Sequence, residues 1–201
     1  MRVADGAAVP RGSNGRDAIL DSAIRLFNQC GYHGTSMRDI AAGAEITVAS
    51  IYHHFKSKQE ILQSIMVRAL QAALSLTRTA VVRSDGSPGG QLRAVMRAWV
   101  IFHTTHQLDA VVAATELRSL EPPGRELVIA LRDEQEALFR DVVARGVEEG
   151  VFGTDHPLDA TRGIISMGQS ICMWWRADGP MTAEQLATRY ETLALAIVES
   201  A

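Results

Sequence analysis

The chain has 201 residues, 47% of them hydrophobic, which is enough for one large or two small domains with a substantial core. Its formal net charge is −3, and it contains neither an apolar run long enough to span a bilayer nor a signal-peptide core. A secreted or membrane-spanning protein is therefore not expected. The two cysteines, Cys30 and Cys172, are expected to be buried thiols, and the chain is expected to be cytoplasmic.

Residues 1–15 contain glycine, alanine and two arginines without apolar periodicity, which predicts a flexible tail. Arg2 and Arg11 could instead reach into a DNA minor groove. The first helix follows this tail, because apolar residues recur at helical spacing before Gly31, a residue suited to ending a helix: Ile19, Ala23, Leu26, Phe27 and Cys30. We expect this helix to support the segment that comes next.

Two short helices joined by a tight turn are predicted within residues 35–58. Ser36 is suited to cap the first helix, and Asp39 follows three residues later, where its carboxylate can accept hydrogen bonds from the first turn. Gly43 is expected to take the left-handed conformation that closes this helix, and Thr47 to cap the second one. The pattern predicts a helix-turn-helix whose second helix fits the DNA major groove.

The second of these helices is rich in side chains that can bond phosphates or base edges: Thr47, Ser50, Tyr52, His53 and His54. The chain's two lysines, Lys56 and Lys58, follow directly, and Ser57 with Glu60 is expected to form a capping box that starts a long helix. Residues 1–60 carry a net charge of +1, so the acidity belongs to the rest of the chain. The alternative is an ordinary solvated helix end.

Residues 16–62 resemble the DNA-binding domain of the tetracycline-repressor (TetR) family of bacterial regulators. Three motifs in register carry the resemblance: A-x-x-L-F followed by Gly31-Tyr32, T-S-x-R-D-I-A, and S-I-Y-H-H-F-K-S-K. The resemblance implies a DNA-binding domain over residues 16–60 with phosphate contacts from four side chains: Ser36, Tyr52, His54 and Lys58. It implies that five others lie nearer to base edges: Arg38, Thr47, Val48, Ser50 and His53.

Residues 61–201 are predicted to form a second helical domain. One long helix over about residues 57–83 has two apolar stripes, so it should lie inside this domain and connect it to the DNA-reading end. Residues 85–90 are rich in glycine and break the chain. Further helices are predicted over about residues 91–106, 108–120, 125–149 and 157–176, with a last one from residue 182 onward.

Several polar residues interrupt the apolar faces of these helices. His103, His106 and Glu116 could be satisfied core groups, contacts to a ligand, or ligands of a metal ion. We predict an effector pocket with the following lining: Met66, Leu70, Trp99, Phe102, His103, Val112 and Glu116. An enzyme would have to use the His103, His106 and Glu116 group, since no phosphate-binding glycine loop, G-x-S-x-G elbow or HExxH motif is present.

The C-terminal residues 150–198, with W-W-R-A-D-G-P-M-T-A-E-Q-L-A-x-R-Y, resemble a TetR subgroup that regulates the breakdown of fatty acids and steroids. This resemblance implies an acyl-CoA thioester as effector, with an arginine such as Arg93 or Arg176 near its phosphates. The TetR resemblance also implies that the last two helices pair with a second copy of the chain. A dimer suits a palindromic site, because its two reading helices would lie about 34–36 Å apart.

The sequence therefore predicts an all-α protein with an N-terminal three-helix DNA-binding domain and a C-terminal domain for effector binding and dimerisation. The predicted function is a homodimeric repressor that leaves double-stranded DNA when a small apolar effector binds, with no membrane partner, no cofactor and no catalytic activity. The alternative from another class is an architectural DNA-binding protein without an effector.

Overall fold

The structure, a computed structural model, describes residues 15–199. Every regular element in this range is helical, which confirms the predicted all-α class. The elements are α1 (Gly15–Cys30), α2 (Met37–Gly43), α3 (Val48–His54), α4 (Lys58–Arg83), α5 (Pro88–Thr105), α6 (Gln107–Thr115), a 3₁₀ turn (Leu117–Ser119), α7 (Pro122–Glu148), α8 (Pro157–Gln169), α9 (Ile171–Trp174) and α10 (Ala183–Val198). The predicted tail lies outside the described residues except for Gly15, which begins α1.

Side-chain caps start the helices of the N-terminal part. The hydroxyl of Ser36 accepts a hydrogen bond from the Asp39 amide (3.2 Å), and the Asp39 carboxylate accepts one from the Ser36 amide (2.8 Å), which confirms the predicted capping box. Thr47 caps α3 as predicted. At α4, Ser57 accepts from the Glu60 amide (3.2 Å), but the Glu60 carboxylate accepts from the Lys56 amide (2.7 Å). The Glu60 carboxylate thus bonds the amide of Lys56, the residue before the N-cap, and the predicted capping box of Ser57 and Glu60 is incomplete.

The turn between α2 and α3 differs from the prediction for Gly43. The left-handed residue is Glu45, with φ 57°, whereas Gly43 is the last residue of α2. Gly43 is needed for close packing, because a Cβ at this position would lie 2.5 Å from the Ser22 hydroxyl oxygen. That hydroxyl donates to the Ile40 carbonyl (3.0 Å) and joins α1 to α2. The left-handed residue therefore comes two positions later than predicted, and it is a glutamate in a conformation that favours glycine.

Helix α4 passes through two separate apolar cores. Its first part, including Ile61 and Ile65, packs with α1–α3 and with Val128 of α7 in the N-terminal core. Further along, Ala69 and Ala73 belong to the C-terminal core, which holds α5, α8 and α10 together. By length and composition α4 could cross a membrane, contrary to the sequence-based expectation. Its packing on two sides identifies it as the central helix that connects the two parts of the fold.

The C-terminal helices surround α5. Helix α7 begins at Pro122, three residues before the predicted start, because Pro122 and Pro123 form its first turn, where a missing amide hydrogen costs nothing. The helix expected over residues 157–176 is interrupted after Gln169. Helix α8 approaches α5 closely at Gly168, where a Cβ would lie 2.4 Å from Cδ1 of Trp99. Cys172 is buried as expected, but Cys30 is exposed.

Candidate DNA-binding surface and ligand cavity

Helix α3 presents most of its surface to solvent, since Ile51 is its one buried residue. The nine predicted DNA-contacting residues, which we call the DNA-binding surface, lie at the start of α2, along α3 and at the start of α4. Six of them are exposed and three are half-buried: Ser36, Arg38, Thr47, Tyr52, His53 and His54 in the first group, Val48, Ser50 and Lys58 in the second. Tyr52 is 54% exposed. A large, rigid phenol on an open helix face is suited to contact a nucleic-acid backbone.

Three hydroxyls of this surface are already hydrogen-bonded within the protein. Ser36 Oγ donates to the Asp39 carboxylate (2.6 Å), and this bond, with that from the Ser36 amide, holds the pKa of Asp39 below its usual value. Thr47 Oγ1 accepts from the Ser50 amide (3.1 Å) and lies 2.9 Å from Ser50 Oγ. These side chains fix the ends of α2 and α3 and so hold the surface in shape before any DNA contact.

Lys58 has a structural role that the sequence did not indicate. Its Nζ donates to the carbonyls of Tyr32 and Thr35 (both 2.6 Å) and lies 4.1 Å from the centre of the Tyr32 ring. Partial burial lowers the pKa of Lys58. The ammonium group fastens the loop after α1 to the start of α4 and keeps a third proton that these bonds do not use.

A hydrogen-bonded network joins this DNA-binding part to the C-terminal part. Gln59 Nε2 donates to the Tyr32 hydroxyl (2.8 Å) and to the Ser119 carbonyl (2.7 Å), and Gln59 Oε1 accepts from the Glu121 amide (3.1 Å). Glu116 accepts from the Tyr32 amide (3.2 Å). A second link is Asn28 of α1, which donates to the Leu108 carbonyl of α6 (3.1 Å). Movement of α6 or of the segment after it would therefore be felt by α1.

A cavity of about 220 Å³ lies between α4, α5, α6, α7 and α8. Its apolar lining comes from small residues, two aromatic rings and branched side chains: Ala69, Leu70, Ala73, Trp99, Phe102, Ala110, Ala113 and Ile165. Its polar lining comes mainly from α7 and α8: His103, Arg132, Gln135, Glu136, Arg162, Ser166 and Gln169. Glu136 and Arg162 form a half-exposed ion pair at 3.4 Å, so the cavity is most accessible beside them, between α7 and α8.

Four of the seven predicted ligand-binding residues line this cavity: Leu70, Trp99, Phe102 and His103. Three do not. Met66 and Val112 are buried in the N-terminal core, and Glu116 bonds the Tyr32 amide and the Ser119 hydroxyl (2.7 Å). The periodic pattern correctly found buried faces of α4 and α6, but those faces serve two cores, and only one core borders the cavity.

His103 is the most deeply buried polar group in the aromatic wall. Its Nδ1 lies 2.8 Å from the Trp99 carbonyl, and burial lowers its pKa to about 4, so the ring is neutral at pH 7. With Nδ1 donating, Nε2 is the acceptor. His106 is exposed and stacks on Phe102, while Glu116 lies in the network described above. Among residues 15–199, no group of three or more His, Cys, Asp or Glu side chains could hold a metal ion.

Sequence reasoning missed Arg132, Gln135 and Arg162. The α7 residues Arg132 and Gln135 are three positions apart and share the helix face that borders the cavity. The guanidinium of Arg132 donates to the Ala113 carbonyl of α6, and burial lowers its pKa. The signal in the sequence is weak, because a charged helix such as α7 is more often solvated than part of a binding site.

Two family models match the chain. One, described as bacterial regulatory proteins of the tetR family, matches residues 19–65, and a tetracyclin repressor-like C-terminal domain matches residues 85–198. The chain belongs to the TetR family. The first TetR model spans most of α1–α3 and the start of α4, and the second spans α5–α10 with the cavity-bordering helices α7 and α8. This result confirms the TetR resemblance of the sequence, and the chain is a TetR-family DNA-binding transcriptional regulator.

Relatives of known structure or function share the TetR architecture over nearly the whole chain. The transcriptional repressor KstR2 of Mycobacterium tuberculosis is 30% identical over 182 residues, which cover 90% of each chain. The structure of the TetR regulator PfmR from Thermus thermophilus is 37% identical with a TM-score of 0.82, covering 90% of this chain and 99% of that one. AibR, solved with isovaleryl coenzyme A and operator DNA, is 26% identical with a TM-score of 0.82, covering 90% and 98%.

Proposed function

We propose that this TetR-family regulator is a homodimeric repressor that leaves a palindromic operator when an acyl-CoA thioester enters the cavity. The observation that carries the proposal is the position of the cavity, which borders α4 and α6. The same two helices hold the DNA-binding part through Gln59 and through the Leu108 carbonyl. A ligand that fits one arrangement of these helices better than another would shift the equilibrium of the DNA-binding part.

The size and lining of the cavity favour enclosure of an acyl group rather than of a whole coenzyme. About 220 Å³ is less than the roughly 300–1,000 Å³ of pockets that enclose drug-sized ligands. Leu70, Trp99 and Phe102 provide an apolar wall for a short chain, and Arg162 stands at the accessible side, where a phosphate could lie. AibR, a protein of the same architecture, was crystallised with isovaleryl coenzyme A, whose acyl group has this character.

The hollow C-terminal domain also supports this proposal over an architectural DNA-binding protein without an effector, for which a filled domain is expected. In the proposed complex, Ser36, Tyr52, His54 and Lys58 contact phosphates. Base edges are contacted by the remaining predicted residues of the surface: Arg38, Thr47, Val48, Ser50 and His53. Because each copy offers one reading helix, stable and specific binding requires two copies.

Exposed apolar side chains near the C terminus supply a surface for the second copy. Met173 (59% exposed) and Trp174 (47%) follow α8, and Leu193 (49%) and Ile197 (38%) lie on α10. Apolar groups of this size are unfavourable in water when they cluster. Pairing through α8, α9 and α10 would cover them and set the distance between the two reading helices.

The test is selection of bound duplexes from a random DNA pool, carried out with and without a mixture of acyl-CoA thioesters. We expect enrichment of an inverted repeat that disappears when the thioesters are present. Persistence of the repeat in their presence would leave the dimeric DNA reader in place and reject the effector class. Enrichment of a single half-site would reject the dimer, and enrichment only with thioesters would reverse the sign of the response.

A further inference from the structure

One polar group bordering the cavity is buried without a hydrogen-bond partner. Gln135 is 4% exposed, and its Oε1 lies 3.1 Å from Oγ1 of Thr77, a hydroxyl that is also shared with the Ala73 carbonyl (2.9 Å). Its Nε2 has no partner within residues 15–199. A buried amide that donates no hydrogen bond is destabilising, and such groups are rare unless a ligand or water completes them. The unpaired Nε2 of Gln135 therefore indicates a ligand atom that can accept a hydrogen bond.

Arg132, one turn earlier on the same face of α7, is a second donor without an anionic partner. Its guanidinium bonds the Ala113 carbonyl, and within the described part of the chain it forms no ion pair. The carboxylate that shares the cavity, Glu136, is paired with Arg162 at 3.4 Å. A guanidinium has five N–H donors, so most of those of Arg132 remain available to a ligand oxygen.

Gln135 is more enclosed than the residues at the accessible side of the cavity. Glu136 and Arg162 are half-exposed and exposed, whereas Gln135 is almost fully enclosed. A thioester whose coenzyme remains outside would enter beside Glu136 and Arg162 and place the far end of its acyl chain near Gln135. A methyl group at that end would leave Nε2 buried without a partner, whereas an oxygen would satisfy it.

Building on the proposed acyl-CoA response, we propose that the effector's acyl group carries an acceptor oxygen, from a ketone or a carboxylate, at its end remote from the thioester. Gln135 Nε2 and the guanidinium of Arg132 bind that oxygen. The aromatic wall of Trp99 and Phe102 holds the apolar middle of the chain. The effector is thus an oxygenated short acyl thioester, which distinguishes it from the plain fatty acyl thioesters of the same length.

Calorimetric titration of the full chain with three matched thioesters tests this proposal: pentanoyl-CoA, 4-oxopentanoyl-CoA and glutaryl-CoA. We expect both oxygenated compounds to bind at least about tenfold more tightly than pentanoyl-CoA, the ratio that one buried hydrogen bond supplies. Gln135→Glu keeps the acceptor for Thr77 but loses the donor, so it should abolish the preference. Gln71→Glu, the same change at an exposed residue of α4 outside the cavity, should retain it. Gln135→Met removes the donor without adding charge.

The outcomes separate this proposal from the proposed function. Equal affinity for all three thioesters would reject the proposed acceptor oxygen and leave the proposal of an acyl-CoA effector in place. Binding of free 4-oxopentanoate or glutarate alone, lost in Gln135→Met, would support the donor pair and reject the coenzyme. If none of these compounds binds, both proposals fail. The relative affinities of the three thioesters for the unaltered chain test the proposal even if a Gln135 variant does not fold.

Discussion

The DNA-binding surface and the ligand cavity are built in opposite ways. On the surface, short helices are held by caps and by side-chain bonds to the backbone, such as those of Ser36 and Lys58. The functional side chains are exposed, and many are hydrogen-bonded before any partner arrives. In the cavity, long helices are held by apolar packing. Gln135 is enclosed there with an unused donor, and the half-buried Arg132 has no ion-pair partner within residues 15–199. The proposed DNA-binding surface is thus held in one shape within the protein, whereas the cavity keeps an unpaired donor, which fits the proposed ligand.

The largest effect is expected where the cavity wall has no spare room. In Gly168→Ala the new Cβ would lie 2.4 Å from Cδ1 and 2.9 Å from Nε1 of Trp99. The Trp99 ring cannot move freely, because its Nε1 donates to the Ile165 carbonyl (3.1 Å). We expect the free energy of unfolding to fall by about 2–3 kcal/mol, as for other overpacked cores. Urea unfolding measures it.

Gly89→Ala is the matched control for this substitution. No atom lies within 4 Å of a Cβ at Gly89, in the first turn of α5, so this substitution should not lower the free energy of unfolding and should raise it by up to about 1 kcal/mol. Equal free energies of unfolding for the two variants would mean that the Trp99 ring moves aside at little cost, and that the cavity wall is not tightly packed.

An intermediate effect is expected at Lys58, because this residue of the DNA-binding surface should stabilise the fold even without DNA. Lys58→Met removes the bonds to the Tyr32 and Thr35 carbonyls and should lower the free energy of unfolding by about 1.5 kcal/mol, after allowance for partial exposure. If Lys58 also contacts a phosphate, the slope of log K against log salt should fall by about 0.9 per lost contact.

Lys56→Met is the control, because Lys56 is exposed and its side chain makes no hydrogen bond or ion pair within residues 15–199. We expect this variant to unfold as the parent does. If Lys58→Met unfolds no more easily than Lys56→Met, the fastening role assigned to Lys58 is wrong.

The smallest effect is expected in the turn of the helix-turn-helix. Glu45 has φ 57°, and asparagine tolerates this conformation better than glutamate or alanine. Glu45→Asn should therefore be more stable than Glu45→Ala by about 0.5–1 kcal/mol in thermal unfolding. Both variants remove the charge, so their difference isolates the backbone conformation. No difference would show that the turn carries no strain.

Local chemistry explains which features were predictable from the sequence. The caps at Ser36 and Thr47 depend on residues three positions apart, and their assignment was confirmed. Gly43 and Glu45 show where local reasoning fails, because the packing of Gly43 against Ser22 in another helix decides where α2 ends. The sequence correctly predicted which faces of α4 and α6 are buried, but it could not show which of the two cores each face joins. Met66 and Val112 were therefore predicted at the cavity, whereas they lie in the N-terminal core. Arg132 and Gln135 of α7 could be identified only from the structure, because their role depends on the position of the cavity.

The bonds of Gln59 give the proposed regulation a threshold. This one side chain holds the Tyr32 hydroxyl on one side and the Ser119 carbonyl and Glu121 amide on the other, all within 3.1 Å. Hydrogen bonds weaken steeply with distance and angle, so the three contacts would be lost together as the two parts separate. A ligand that moves the segment after α6 beyond the range of these bonds would then release the DNA-binding part in a single step.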